Sequence, residues 1–132
     1  STRSYLLKEG VNYLGRATDV PSGNSLVVEN DPYVSRFHAQ IEVLKNGYSF
    51  DFILKDKGCN MNSFTPSKNG TYINGNEKRI SASSIYKLQN QDTIQCGTTK
   101  FMFRIGEEKQ SAQGLEEEVS RTQYVKTVVI QF

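Results

Sequence analysis

Residues 38–55 read "HAQIEVLKNGYSFDFILK" and carry two runs of alternating polarity around an Asn-Gly pair. Ala39, Ile41 and Val43 alternate with Gln40 and Glu42, and Phe50, Phe52 and Leu54 stand against Asp51 and Lys55. A period of two places one set of side chains on each face of a strand, and Asn-Gly is the strongest short hairpin signal. The stretch therefore predicts two half-buried antiparallel strands joined at Asn46-Gly47.

Segments of the same kind recur on both sides: "SYLLKE", "NYLGR", "NSLVVEN", "TYI", "KRI", "IYKL", "DTIQCG" and "KFMFRIG", separated by Gly, Asn, Ser and Pro. No convincing amphipathic helix interrupts them before residue 106. Short strands at this spacing predict an all-β protein, an antiparallel β-sandwich spanning residues 1–106. Residues 107–132 read as a tail: "LEEEVSR" could make a short helical turn, and "YVKTVVIQF" is strongly β-prone. So apolar a run should pair with something, either as an added edge strand or as the start of a following domain.

The chain has 132 residues, enough for one domain with a core that needs no staples. Its cysteines, Cys59 and Cys96, lack C-x-x-C spacing and there is a single His, so neither a metal site nor a cofactor is expected. They read as two reduced thiols, with a disulfide between them as the alternative. No apolar run approaches a membrane span and no signal-peptide core is visible, which suggests a soluble intracellular fragment. Residues 1–106 hold 13 Lys/Arg against 9 Asp/Glu, and residues 107–132 hold 3 against 5. A mildly basic body suggests an anionic partner, but its charge is too dilute to specify nucleic acid.

Polar groups concentrate at three strand ends: Gly15-Arg16, Ser35 to Ala39 in "SRFHA", and Asn69-Gly70-Thr71. As the single imidazole, His38 would have to be the base of any Ser/His or Cys/His enzyme. It lies three residues from Ser35 in a turn entering a strand, and no G-x-S-x-G elbow surrounds the serine. His38 therefore reads as a structural residue that hydrogen-bonds a neighbouring loop, and the module as a non-enzyme. A second puzzle is the pair of Asn-Gly dipeptides, 69–70 and 74–75, separated only by Thr71, Tyr72 and Ile73. Two turns so close leave almost no strand, so one of them should do something other than reverse the chain.

Taken in order, Gly15-Arg16, Ser35-x-x-His38 and Asn69-Gly70-Thr71 followed by Asn74-Gly75 resemble the forkhead-associated (FHA) domain, over roughly residues 5 to 106. The resemblance implies a sandwich of about eleven strands whose loops at one end bind a phosphothreonine peptide. It implies that Arg16 and Ser35 contact the phosphate and that Asn69 hydrogen-bonds the peptide main chain. Arg36 and Lys68 would add cations, and Gly15, His38, Gly70 and Thr71 would support the site. Asn74-Gly75 is then the ordinary turn. The chemistry is consistent: a phosphate monoester presents nearly two charges and three acceptor oxygens, which suit a planar, permanently charged donor beside neutral donors.

The family usually discriminates ligands three residues beyond the phosphothreonine; here the long loop 56–70 and Cys96-Gly97-Thr98 are the candidates. This chain departs from the family in length: thirteen positions separate Asp56 from Asn69 where the family usually has only a few residues, an insertion that puts the carry-over to residues 57–67 in question. The resemblance further suggests a nuclear signalling protein, such as a checkpoint or meiotic kinase or a repair factor, with cytoplasmic residence as the alternative. Thr122-Gln123 in the acidic tail is the type of site favoured by damage-response kinases, which raises self-association through phosphorylated Thr122. The alternative function is a nucleic-acid-binding β domain, though the sequence lacks a clustered basic stripe and an aromatic stacking platform.

Overall fold

The computed structural model describes residues 2–16, 23–57, 67–81, 83–105 and 127–131. These form ten strands: β1 Thr2–Leu6, β2 Gly10–Gly15, β3 Asn24–Val27, β4 Ala39–Asn46, β5 Ser49–Lys55, β6 Thr71–Ile73, β7 Tyr86–Lys87, β8 Thr93–Cys96, β9 Thr99–Arg104 and β10 Thr127–Gln131. One sheet has the order β1-β10-β9-β8-β6 and the other β3-β2-β4-β5-β7. The predicted all-β sandwich is the observed fold, with one detail that alternation does not report: β3 runs parallel to β2, with Asn12 opposite Asn24.

Alternation decides the core. Ile41, Val43 and Leu54 from one sheet and Ile94, Phe101 and Phe103 from the other are wholly buried, while Lys100 and Arg104 between and beyond them are exposed. Phe52 meets Phe103 edge-on across the sandwich at 5.0 Å between ring centroids. Each such side chain contributes about 1.5–3 kcal/mol of burial, so the face pattern is strongly selected.

The segment "KRI" forms no strand. Ile80 N–H donates to Thr71 O at 2.9 Å, but Arg79 is drawn off to a side-chain partner described below. The terminal run does pair, yet at neither edge: β10 lies inside its sheet, with Thr127 opposite Arg104 of β9 and Leu6 of β1. The "LEEEVSR" turn and Thr122 lie outside the described residues, as do Cys59 and most of the loop between Asp56 and Ser67.

Candidate functional site

The site begins where β2 ends. Arg16 N–H donates to Ser35 O at 3.2 Å and His38 N–H to Leu14 O at 2.9 Å, so the 35–38 turn lies directly against the strand end. Gly15 makes this approach possible: a Cβ there would stand 2.1 Å from the Arg36 carbonyl oxygen. The exposed Arg16 side chain then folds over the turn, its Nε donating to Val34 O. Among the described residues neither Nη nitrogen donates a hydrogen bond.

His38 joins two loops. It is fully buried; its Nδ1 accepts from Ser35 N–H at 3.0 Å and its Nε2 lies 2.8 Å from Gly70 O. A peptide N–H can only donate and a carbonyl only accept, so Nδ1 is bare and Nε2 carries the hydrogen. Burial holds its pKa below the usual imidazole value. Protonating Nδ1 would also set a donor against the Ser35 N–H.

The 67–71 segment closes the site. Lys68 N–H donates to Ser35 Oγ at 3.0 Å, which leaves the hydroxyl hydrogen available to another acceptor. Asn69 donates from Nδ2 to Tyr33 O at 2.8 Å; its Oδ1 takes no hydrogen bond among the described residues. Gly70, at φ +92°, sends its N–H to Ser67 Oγ at 2.9 Å and its carbonyl to His38. Lys68 and Asn69 are exposed while Ser67, Gly70 and Thr71 are buried, so the two outward residues stand on a fixed base.

That base is electrostatic. Asp56, 0% exposed, accepts from Thr71 Oγ1 at 3.0 Å, Ser67 N–H at 3.3 Å and Arg79 Nη2 at 2.8 Å. The same guanidinium donates to Ser67 O at 2.6 Å. On the other flank the buried Asp31 accepts from Tyr33 N–H at 3.0 Å with one oxygen. Its other oxygen accepts from Thr98 N–H at 2.8 Å, Thr98 Oγ1 at 3.0 Å and Thr99 Oγ1 at 2.6 Å. Burial pushes the Asp31 pKa up, but these donors together hold it below the usual carboxylate value. The 31–34 loop is thereby tied to the β8–β9 turn.

The structure thus gathers Arg16, Ser35, Lys68 and Asn69 at one end of the sandwich, with Gly15, His38, Gly70 and Thr71 beneath them. Arg36 is placed differently: its guanidinium lies 5.5 Å from the centroid of the Phe37 ring. Sequence reasoning missed the Tyr33 and Val34 carbonyls, the Asp31 clamp and Arg79. Of these only Asp31 had a local signal, the turn-initiating Asp31-Pro32.

The sequence pattern of the FHA domain matches residues 12–97. The chain belongs to the FHA domain family. Among solved structures, an FHA domain characterised for phosphothreonine-dependent interactions is 28% identical, with a TM-score of 0.54 over 80% of this chain and 88% of its own. An Arabidopsis thaliana FHA domain shares the fold at 20% identity and a TM-score of 0.57, over 83% of this chain and 89% of its own. So does the MEK1 FHA domain, solved with a phosphothreonine peptide of HOP1, at 23% identity and a TM-score of 0.54 over 80% of this chain and 97% of its own. No curated protein matches the chain.

Proposed function

We propose that this FHA domain reads phosphothreonine in a peptide, joining proteins only when one of them is phosphorylated. The observation that carries the proposal is a shared economy in three side chains at one end of the fold. Arg16, Ser35 and Asn69 each give one group to the protein, which fixes direction, and each keeps another for a ligand. The Arg16 Nη groups and the Ser35 hydroxyl hydrogen suit phosphate oxygens; the Asn69 Oδ1 suits a peptide N–H. Lys68, exposed beside them, adds positive potential. The 28%-identical relative with phosphothreonine-dependent interactions supports the same reading.

Capture from an oriented peptide library, with and without phosphate on a fixed threonine, tests the proposal. Enrichment confined to the phosphorylated library is the expected result, and equal capture would overturn it. Phosphothreonine should exceed phosphoserine, because a buried γ-methyl adds about 1 kcal/mol and restricts the side-chain rotamers. A steep salt dependence with equal binding to single-stranded DNA would favour the nucleic-acid alternative. Nuclear signalling remains the context that this proposal carries over from the family. Self-recognition through phosphorylated Thr122, which lies outside the described residues, is its most specific form.

A further inference from the structure

We infer that Ser67 shields Asn69 from spontaneous deamidation, and that of the three Asn-Gly pairs the one open to this modification in the folded domain is Asn46-Gly47. Asn before Gly is prone to the reaction because glycine, without a Cβ, leaves its peptide nitrogen uncovered. The Gly nitrogen gives its proton to solvent and attacks the Asn Cγ; the bond from Cγ to the side-chain nitrogen breaks, ammonia leaves and a succinimide ring remains. Water then adds to either ring carbonyl and opens it to Asp or isoaspartate, with nothing oxidised or reduced. Two freedoms are therefore needed: a Gly N–H that is not held as a donor, and a carboxamide able to turn towards it.

The three pairs differ in both respects. At Asn69-Gly70 the Gly70 N–H donates to Ser67 Oγ at 2.9 Å and Asn69 Nδ2 donates to Tyr33 O at 2.8 Å. Ser67 is buried and its hydroxyl also accepts from Arg79 Nη2 at 3.3 Å, so the acceptor is fixed. At Asn74-Gly75 the Gly75 N–H donates no hydrogen bond among the described residues, but the carboxamide is held at both ends, by Asp92 Oδ1 at 3.0 Å and Thr93 N–H at 2.8 Å. At Asn46-Gly47 the restraint is weakest. Gly47 N–H donates no hydrogen bond among the described residues, and the exposed Asn46 has one side-chain bond, to Asp51 Oδ2 at 3.2 Å. The location matters on the phosphothreonine reading above, on which this consequence rests. A carboxylate in place of the Asn69 amide would meet the Tyr33 carbonyl with no hydrogen to give and would set a negative charge among the groups that receive a phosphorylated ligand. Isoaspartate would add a methylene to the backbone entering Gly70. Asn46 ends the strand that leads away from His38, so its conversion leaves those groups alone.

Peptide mass mapping of domain aged in warm, mildly alkaline buffer follows the three pairs separately, with the rates in urea as references. On folding, Asn46 should slow by less than about threefold, and Asn69 and Asn74 by at least about tenfold. Ser67→Ala, folded by circular dichroism, should release Asn69 by about fivefold or more and leave Asn74 slow, so that Asn74 reports any general loosening. Phosphopeptide binding should decay with Asn69 conversion in that variant and persist in aged native domain whose Asn46 is converted. Amide hydrogen exchange reads the same protection without a substitution: Gly70 should exchange far more slowly than Gly47 and Gly75. Folding that slows Asn46 and Asn69 equally would overturn the inference, as would equal exchange at the three glycines. So would a folded Ser67→Ala domain in which Asn69 stays slow, or in which Asn69 and Asn74 accelerate together. Fresh native domain that binds phosphorylated and unphosphorylated peptide alike would overturn the phosphothreonine reading and leave the pattern of modification standing.

Discussion

Asn69-Gly70 and Asn74-Gly75 are the same dipeptide five residues apart, and the fold uses them in opposite ways. At the second pair both residues have positive φ, +53° and +75°, and Asn76 N–H closes onto Ile73 O at 2.9 Å. The Asn74 side chain, though also exposed, has both ends of its amide bonded to the protein, donating to Asp92 Oδ1 at 3.0 Å and accepting from Thr93 N–H at 2.8 Å. At the first pair only Gly70 is left-handed, and Asn69 stays exposed with its amide aimed by a carbonyl from another loop. The difference teaches that Asn-Gly is a permission for positive φ, and that the surrounding partners decide whether the Asn closes a turn or presents itself outward.

Arg79 ties the two regions together and gives the largest expected effect. It follows the Asn74-Gly75 turn in sequence but reaches Asp56 and Ser67, which hold Thr71 and Gly70. Arg79→Ala leaves the fully buried Asp56 without its cation and should destabilise the domain by about 3 kcal/mol. Urea unfolding measures this, and phosphopeptide affinity should fall with it. Stability unchanged within about 0.5 kcal/mol would mean that the two segments are not coupled through this residue.

A reciprocal pair of variants separates the regions. Asn74→Ala loses both side-chain bonds and puts at φ +53° a residue that tolerates the left-handed region less well than Asn, so a loss of about 2 kcal/mol is expected with phosphopeptide affinity within twofold. Asn69→Ala should move stability by less than about 0.5 kcal/mol and weaken binding about tenfold. Denaturation and calorimetry on the same preparations read both quantities, and a single pattern shared by the two variants would break the comparison.

The smallest effect is on pH dependence. His38 holds Gly70 but touches nothing in the Asn74 turn through the hydrogen bonds described. Its folded pKa lies below that of the unfolded chain, so the unfolded state takes up the proton first. Stability is then fully present above about pH 6.5 and declines as pH falls through that value towards the folded pKa, by no more than about 1.4 kcal/mol per pH unit for one proton. Unfolding without ligand should show this slope, and His38→Gln should flatten it at lower overall stability. A slope unchanged in His38→Gln would assign it elsewhere.

What the sequence made legible follows from what local pattern can carry. Alternation along residues 39–55 identified the buried faces, and nine of the ten strand-like segments quoted from the body and its flanks contain observed strands. Gly15, Arg16, Ser35, His38 and Asn69 could be read because each sits at a strand end within a short motif. The supports could not: Asp56 meets Arg79 across 23 residues, and Asp31 meets Thr98 across 67. Nothing local marks such pairs. Period-two patterning fixes which face of a strand is buried but leaves its neighbours open. Hence β10 could be expected to pair while its place between β1 and β9 could not, and the parallel run of β3 beside β2 was equally hidden.

The central claim, that Arg16 reads a phosphate at the end of this sandwich, is tested most directly by titration calorimetry. A phosphothreonine peptide selected from the library is titrated into the native domain and into Arg16→Ala, with circular dichroism confirming that both are folded. A lost charge-assisted hydrogen bond of about 1.5–3 kcal/mol predicts an affinity reduced roughly ten- to more than a hundredfold. A folded Arg16→Ala domain that binds the same peptide within threefold of the native protein would contradict the account.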